Sequence, residues 1–182
     1  MAFAIAAFTA GSLVFLGTMP SSASEKRKAS RTGGWITCSE AATLNFKPGL
    51  TLEPQAVRLS ASDTITGCTS SDPTIQGATA RVRAKSPAAS CAGGQLVEGV
   101  AKIRWDNGRR SRIRWSGAFG GAIASGRGSV VRGGEFVGNW FKASDVVTSP
   151  EPVLAGACLS PEGLTRVEIA GRIVIGIPVL DG

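Results

Sequence analysis

Apolar residues in this chain recur at every second position, and no window sustains the i, i+3, i+4, i+7 spacing of an amphipathic helix. The fold therefore has to be assembled from strands and turns. Ile36, Cys38, Ala42, Leu44 and Phe46 share one face of a first strand, which Lys47, Pro48 and Gly49 are expected to break. Val57, Leu59, Ala61 and Ile65 share a face of a second. In a third, Ala78, Ala80, Val82 and Ala84 alternate with Thr79, Arg81, Arg83 and Lys85, giving a thin apolar face and a basic outer one. A fourth strand runs from Val97 to Trp105. Beyond Asp106, Asn107 and Gly108 a fifth carries Ile113 and Trp115 on one face and Arg110, Arg112 and Arg114 on the other.

The register of that last hairpin follows from its side chains. A two-residue Asn107-Gly108 loop would set Trp105 opposite Arg110 and mix apolar with charged residues on both faces. A three-residue loop with Gly108 in the left-handed conformation sets Ile103 opposite Ser111 and keeps the faces distinct, at the cost of placing Lys102 and Arg104 beside the arginines of the fifth strand. Gly117 to Gly134 reads as strands bent in a tightly curved sheet around Val130 and Val131. Its glycines open no helix, so no phosphate-cradling loop is expected. Phe136–Phe141 and Val146–Leu154 read as further strands separated by turn residues. Val167, Ile169, Ile173, Ile175 and Ile177 mark a last one, expected to be central. About eight to ten short antiparallel strands imply an all-β barrel or β-sandwich. The pattern leaves both open.

Met1 to Ser24 holds no charged side chain, and its apolar stretch to Leu16 precedes Gly17, Pro20 and the small residues Ser21 to Ser24. That is the pattern of a signal peptide, residues 1–24; Thr9, Gly11, Ser12, Thr18 and Pro20 make a poor membrane span. Lys26, Arg27, Lys28 and Arg31 follow the apolar core and nothing basic precedes it, so the positive-inside rule predicts a further basic segment upstream of Met1. Residues 25–34 have too little apolar content to pack and read as a flexible basic linker. Residues 35–182 are expected to form a single all-β domain, large enough for one core.

Four cysteines, Cys38, Cys68, Cys91 and Cys158, lie behind this leader. An even number in an exported chain predicts two disulfides. No close-spaced pair suits zinc. Of three formal pairings, Cys38 with Cys68 and Cys91 with Cys158 is expected, because the first pair brackets a probable hairpin. The chain has no His, which removes the usual general base near neutral pH, the base of a nucleophilic triad and the commonest metal ligand. No S-x-x-K motif stands on a plausible helix. Neither a cofactor nor a metal site is expected, and the chain is not expected to be an enzyme.

The segments Thr37-Cys38, Pro48 to Leu52, Gly67 to Thr74, Ser90-Cys91 and the Trp105 to Gly108 turn resemble a group of exported β-rich, four-cysteine proteins of high-GC Gram-positive bacteria. The likeness covers most of the chain after Gly34. It implies export and the four-cysteine layout. Because the group has no assigned activity, it implies nothing about function. This chain is more basic in its fourth and fifth strands than the Thr-rich pattern of that group.

Three constellations carry chemistry. Lys102, Arg104, Arg110, Arg112 and Arg114 project from one face of two neighbouring strands, in a chain whose formal charge is +7. Like charges opposite one another oppose pairing, so the face reads as an anion-binding surface for a cell-wall polymer or a membrane. Nucleic acid is disfavoured, because Trp105 and Trp115 alternate to the other side and leave no stacking aromatics. A solvated face beside Glu98 or Asp106 is the ordinary alternative. Glu40 and Asp63 interrupt the apolar faces of the first two strands, and a matching register brings them opposite each other, as a weak glycoside hydrolase would need. Trp35, Trp105, Trp115 and Trp140 are expected mostly to pack in the core. The sequence thus predicts an exported structural or binding protein, secreted or associated with the cell envelope, with a small-molecule carrier or inhibitor using a barrel mouth as the alternative. Oligomeric state is not encoded in any of these patterns.

Overall fold

A computed structural model describes residues 34–93, 95–120, 122–134 and 136–176. The expected signal peptide and all but Gly34 of the expected linker lie outside them. The described residues fall in one compact unit, Thr32–Gly182. Its elements are β1 (Ile36–Leu50), β2 (Gln55–Ser70), β3 (Ala78–Ala89), β4 (Gln95–Trp105), β5 (Arg110–Gly120), β6 (Ile123–Arg132), β7 (Trp140–Val147), α1 (Glu151–Cys158) and β8 (Leu164–Gly176).

Each strand pairs antiparallel with the next, and β8 returns to β1, so the sheet is a closed barrel of eight strands. Closure leaves no edge strand to be managed by other means. The expected central last strand, β8, is flanked on both sides, by β7 and β1, as closure requires of every strand of the barrel. The first strand does not stop at Lys47: β1 continues to Leu50, and its pairing with β8 shifts between Asn45 and Leu50.

The β4–β5 turn has the expected register. Ile103 lies opposite Ser111 and Gly108 has φ 83°. Trp105 N–H donates to the Arg109 carbonyl at 3.0 Å, and the buried indole N–H of Trp105 donates to Ser111 Oγ at 2.9 Å.

Side chains fill the barrel at both ends. One cluster holds Ile36, Ile65, Trp105, Ile113, Phe136 and Ile175, with the Cys38–Cys68 bond beside it. Trp105 and Phe136 meet edge to face at 5.5 Å. The other cluster holds Leu44, Phe46, Val57, Leu59, Leu164 and Val167, against which Leu154, Ala157 and Cys158 of α1 pack. Cys91–Cys158 ties that helix to the end of β3. The expected disulfide pairing is the one observed, and disulfides of this kind are consistent with an oxidising, extracellular compartment.

The helix α1 replaces part of the strand expected over Val146–Leu154. Its eight residues are too few to display a 3.6-residue period and too few to be stable alone, so packing and the disulfide hold it. The glycines of β4 to β6 make room for Trp115, whose indole lies across them inside the barrel. A Cβ on Gly99, Gly117 or Gly126 would lie 3.0, 2.9 or 3.3 Å from that ring.

Candidate functional site

Two charged regions lie on opposite sides of the barrel wall. The outer one is built from the solvent-facing positions of β3 to β6. Arg81 pairs with Lys102, Lys102 with Arg112, and Arg112 with Arg132, so one row of four directly opposed cations crosses four strands. At a strand spacing of about 4.8 Å the row spans roughly 14 Å. Above and below it, Arg104 is opposite Arg110, Arg83 and Arg114 flank Val100, and Lys85 is opposite Glu98.

All of the expected anion-binding residues, Lys102, Arg104, Arg110, Arg112 and Arg114, are exposed on this face. Sequence reasoning treated Arg81, Arg83 and Lys85 as a separate group, and it did not include Arg132. Pairing of β3 with β4 and of β5 with β6 joins them to the same surface. No ion pair among the described residues engages any of these cations. The acid nearest in sequence does not neutralise them: Asp106 accepts hydrogen bonds from the backbone of Gln76 at 3.0 Å and of Asn107 at 2.9 Å. Arg109 is drawn away from the face to Asp72, 3.2 Å distant. No aromatic side chain points outward from β3 to β6 among the described residues. Trp105 is buried in the core and Trp115 lines the interior. Toward one end the face runs into a surface depression lined by Lys47, Arg58, Arg83, Lys85 and Arg166, with Glu98 and Glu162.

The inner region is a group of three acids in the middle of the barrel, between the two apolar clusters. Glu40 of β1 and Asp145 of β7 are both in register with Gly171 of β8. Because Gly171 has no side chain, the two carboxyls meet across it and share a hydrogen bond. A Cβ on Gly171 would lie 2.2 Å from Asp145 Oδ1. Asp63 of β2 is not opposite Glu40, as the sequence suggested. It faces Ala42, and Glu40 faces Ile65, so the pair is diagonal.

Burial pushes the Glu40 carboxyl up to about 9, with Asp145 and Asp63 adding repulsion. Burial likewise raises Asp63 to about 7, helped by the Asp145 charge. Asp145 is raised by burial, while the hydrogen bond from Glu40 pulls it back down. Near neutrality Glu40 therefore keeps its proton and donates it to the Asp145 carboxyl.

The acids border an interior cavity of about 80 Å³, whose other walls include Ala42, Ala61, Ile103, Trp115, Ala143 and Ile169. Sites for organic ligands of drug size are usually about 300–1,000 Å³, so this space holds no saccharide chain. Nor is it an open carrier mouth, since side chains fill both ends. Among the described residues no group of three His, Cys, Asp or Glu side chains is arranged to hold a metal ion. The four Trp residues form no sugar-stacking platform: Trp105 and Trp115 are inside, Trp140 is half-buried and Trp35 is exposed. No protein-family model and no curated protein matches the chain.

Proposed function

We propose that this is an exported, non-enzymatic protein of the cell envelope that binds a linear anionic polymer on the outer face of β3 to β6, with a base-free phosphodiester chain such as teichoic acid as the partner. The observation that carries this reading is the row Arg81, Lys102, Arg112 and Arg132, in register across four strands with no acid among the described residues paired to it. Folding alone does not favour such a row, because like charges directly opposite destabilise a sheet by roughly 0.2–1 kcal/mol per pair. A polyanion relieves that repulsion, and arginine can grip each phosphate through two N–H groups. The lack of outward aromatics on these strands favours a polymer without bases over single-stranded nucleic acid, which is bound largely by stacking. The two disulfides and the apolar leader support an extracellular setting.

The test compares the parent with Arg112→Gln on the row and Arg172→Gln on β8, away from it. Each removes one charge. Binding to teichoic acid, anionic vesicles and single-stranded DNA is measured between 0.05 and 0.5 M NaCl. Teichoic acid should bind with an affinity that falls as salt rises. The slope of log affinity against log salt should shrink by about 0.7–0.9 in Arg112→Gln and remain unchanged in Arg172→Gln. Equal loss in both variants would reduce the effect to net charge. Absence of teichoic acid binding, or stronger binding to DNA or vesicles, would overturn the choice of partner.

A further inference from the structure

The cations of β3 to β6 are not the only directly opposed ones. On the other side of β3, Lys47 of β1 is opposite Arg58 of β2, and Arg58 is opposite Lys85 of β3. All three are exposed. No ion pair among the described residues engages any of them. Together with Arg83 they line the surface depression at that end of the barrel. Glu98 and Glu162 also border it, and its remaining cation, Arg166, is held by Glu168 at 3.1 Å. Repulsion within this second row opposes pairing as it does in the first.

Strand β3 connects the two rows. Arg81 belongs to the first, Lys85 to the second, and Arg83 lies between them, all three outward and exposed. Four residues at about 3.4 Å each set the rows roughly 14 Å apart along the strand. The neighbours of β3 dictate where a chain of negative charges can go. Beyond Arg81 the first row meets neutral Ser62 on β2, so the nearest further cations are Arg83 and Lys85 along β3 itself. At Lys85 the β4 side is closed by Glu98, which repels an anion, whereas the β2 side offers Arg58 and then Lys47. The second row stops at Lys47, because β1 loses its register with β8 between Asn45 and Leu50. A path with two turns admits a flexible chain and excludes a stiff one.

Resting on the polymer-binding reading above, we propose that the site is a bent track of eight cations: a flexible phosphodiester chain crosses from β6 to β3, turns along β3, and ends in the depression with phosphates on Arg58 and Lys47. Four lysines report on it in the unaltered protein: Lys102 in the first row, Lys85 and Lys47 in the second, and Lys142 on β7, off both. The full chain with disulfides intact is treated with an amine-acetylating reagent, with and without saturating teichoic acid at low salt, and each site is read by peptide mass spectrometry. Lys102, Lys85 and Lys47 should be protected, and Lys142 should label as in the free protein. In Arg58→Gln the slope of log affinity against log salt should shrink by about 0.7–0.9, as in Arg112→Gln, with Arg172→Gln unchanged. Should Arg58→Gln fail to fold, acetylation of the parent decides alone. Labelling of Lys47 at its free rate, or a parental slope in Arg58→Gln, overturns the bent track; protection of Lys102 and a smaller slope in Arg112→Gln would then still leave the straight face standing. Equal protection of Lys142 overturns the track as well, since the polymer would be coating the barrel by net charge. Absence of teichoic acid binding to the parent overturns both readings.

Discussion

Replacing Glu40 by Gln should stabilise this protein, and by an amount that grows with pH. In the unfolded chain Glu40 ionises near 4.5, whereas in the barrel it holds its proton to about 9. The folded state thus binds more protons, and stability falls as pH rises from the first value to the second. Each unit between the two is worth 1.36 kcal/mol. At pH 7 the penalty is about 3 kcal/mol, and above pH 9 it levels off at about 6 kcal/mol. Below pH 4 it vanishes. Against a total stability of about 5–15 kcal/mol for a domain this is a large fraction.

Glutamine has nearly the shape of protonated glutamic acid, and its amide N–H can donate to Asp145 as the Glu40 proton does. It cannot ionise, so the penalty disappears. Urea unfolding followed by Trp fluorescence, with disulfides intact, gives the stability of parent and variant at pH 4, 7 and 8.5. Their difference should be near zero at pH 4 and about 3 kcal/mol in favour of the variant at pH 7. A difference that does not change with pH, or a variant less stable than the parent at pH 8.5, would refute the reasoning. Either would mean that Glu40 is ionised in the barrel or held by a partner stronger than Asp145.

Gly171→Ala should be severely destabilising, by about 3 kcal/mol or more, because its Cβ would meet Asp145 Oδ1 and the Ser144 carbonyl at 2.2 Å each; a loss under 1 kcal/mol by urea unfolding would contradict the close approach of Glu40 and Asp145. Replacing Cys91 and Cys158 by Ser opens a loop of 67 residues and should remove about 4.4 kcal/mol of stability in the chain-entropy account. In that variant amide exchange over 151–158 should become fast ahead of the barrel strands, since the helix is too short to persist untethered; exchange as slow as in the barrel would show that its packing alone suffices.

What could be read from the sequence was set by local, period-two information. The strand faces, the bulged β4–β5 turn and the Cys38–Cys68 pairing across the first hairpin depend on residues close in the chain, and all are present. Asp145 was not found, although Phe141, Ala143, Asp145 and Val147 alternate inward on β7. Its charge interrupts the apolar face, and together with Lys142 and Ser144 it made the middle of a strand look like a turn. Its partnership with Glu40 depends on closure of the barrel through β8, a contact between chain segments about a hundred residues apart that no local pattern reports. The same holds for the row of cations. The hairpin supplied Lys102 and Arg112, but only pairing with β3 and β6 adds Arg81 and Arg132.

Barrel topology also explains how one small domain carries two opposite charge systems. Consecutive strands occupy consecutive sectors of the wall, so the buried acids of β1, β2 and β7 lie in one sector and the row of directly opposed cations on β3 to β6 in the other. Alternation along each strand then decides which surface a charge reaches. On β3, β4 and β5 the inward positions are filled by Ala80, Val82, Ala101, Ile103, Ile113 and Trp115, and the cations are directed to water, where their mutual repulsion is screened within about 8 Å at physiological salt. On β1, β2 and β7 the outward positions carry Thr43, Ser60, Ser62 and Ser144 together with the cations Lys47, Arg58 and Lys142, and the acids are directed inward, where repulsion and desolvation are both severe. A one-residue slip in β4 or β5 would bury arginines and expose Ile103 or Ile113, so the cationic face helps fix the register even as it opposes the pairing. The inward acids have no such compensation. Apolar residues at Glu40, Asp63 and Asp145 would satisfy the same alternation without the pH-dependent cost, which is why those positions, more than the basic surface, call for an explanation outside folding.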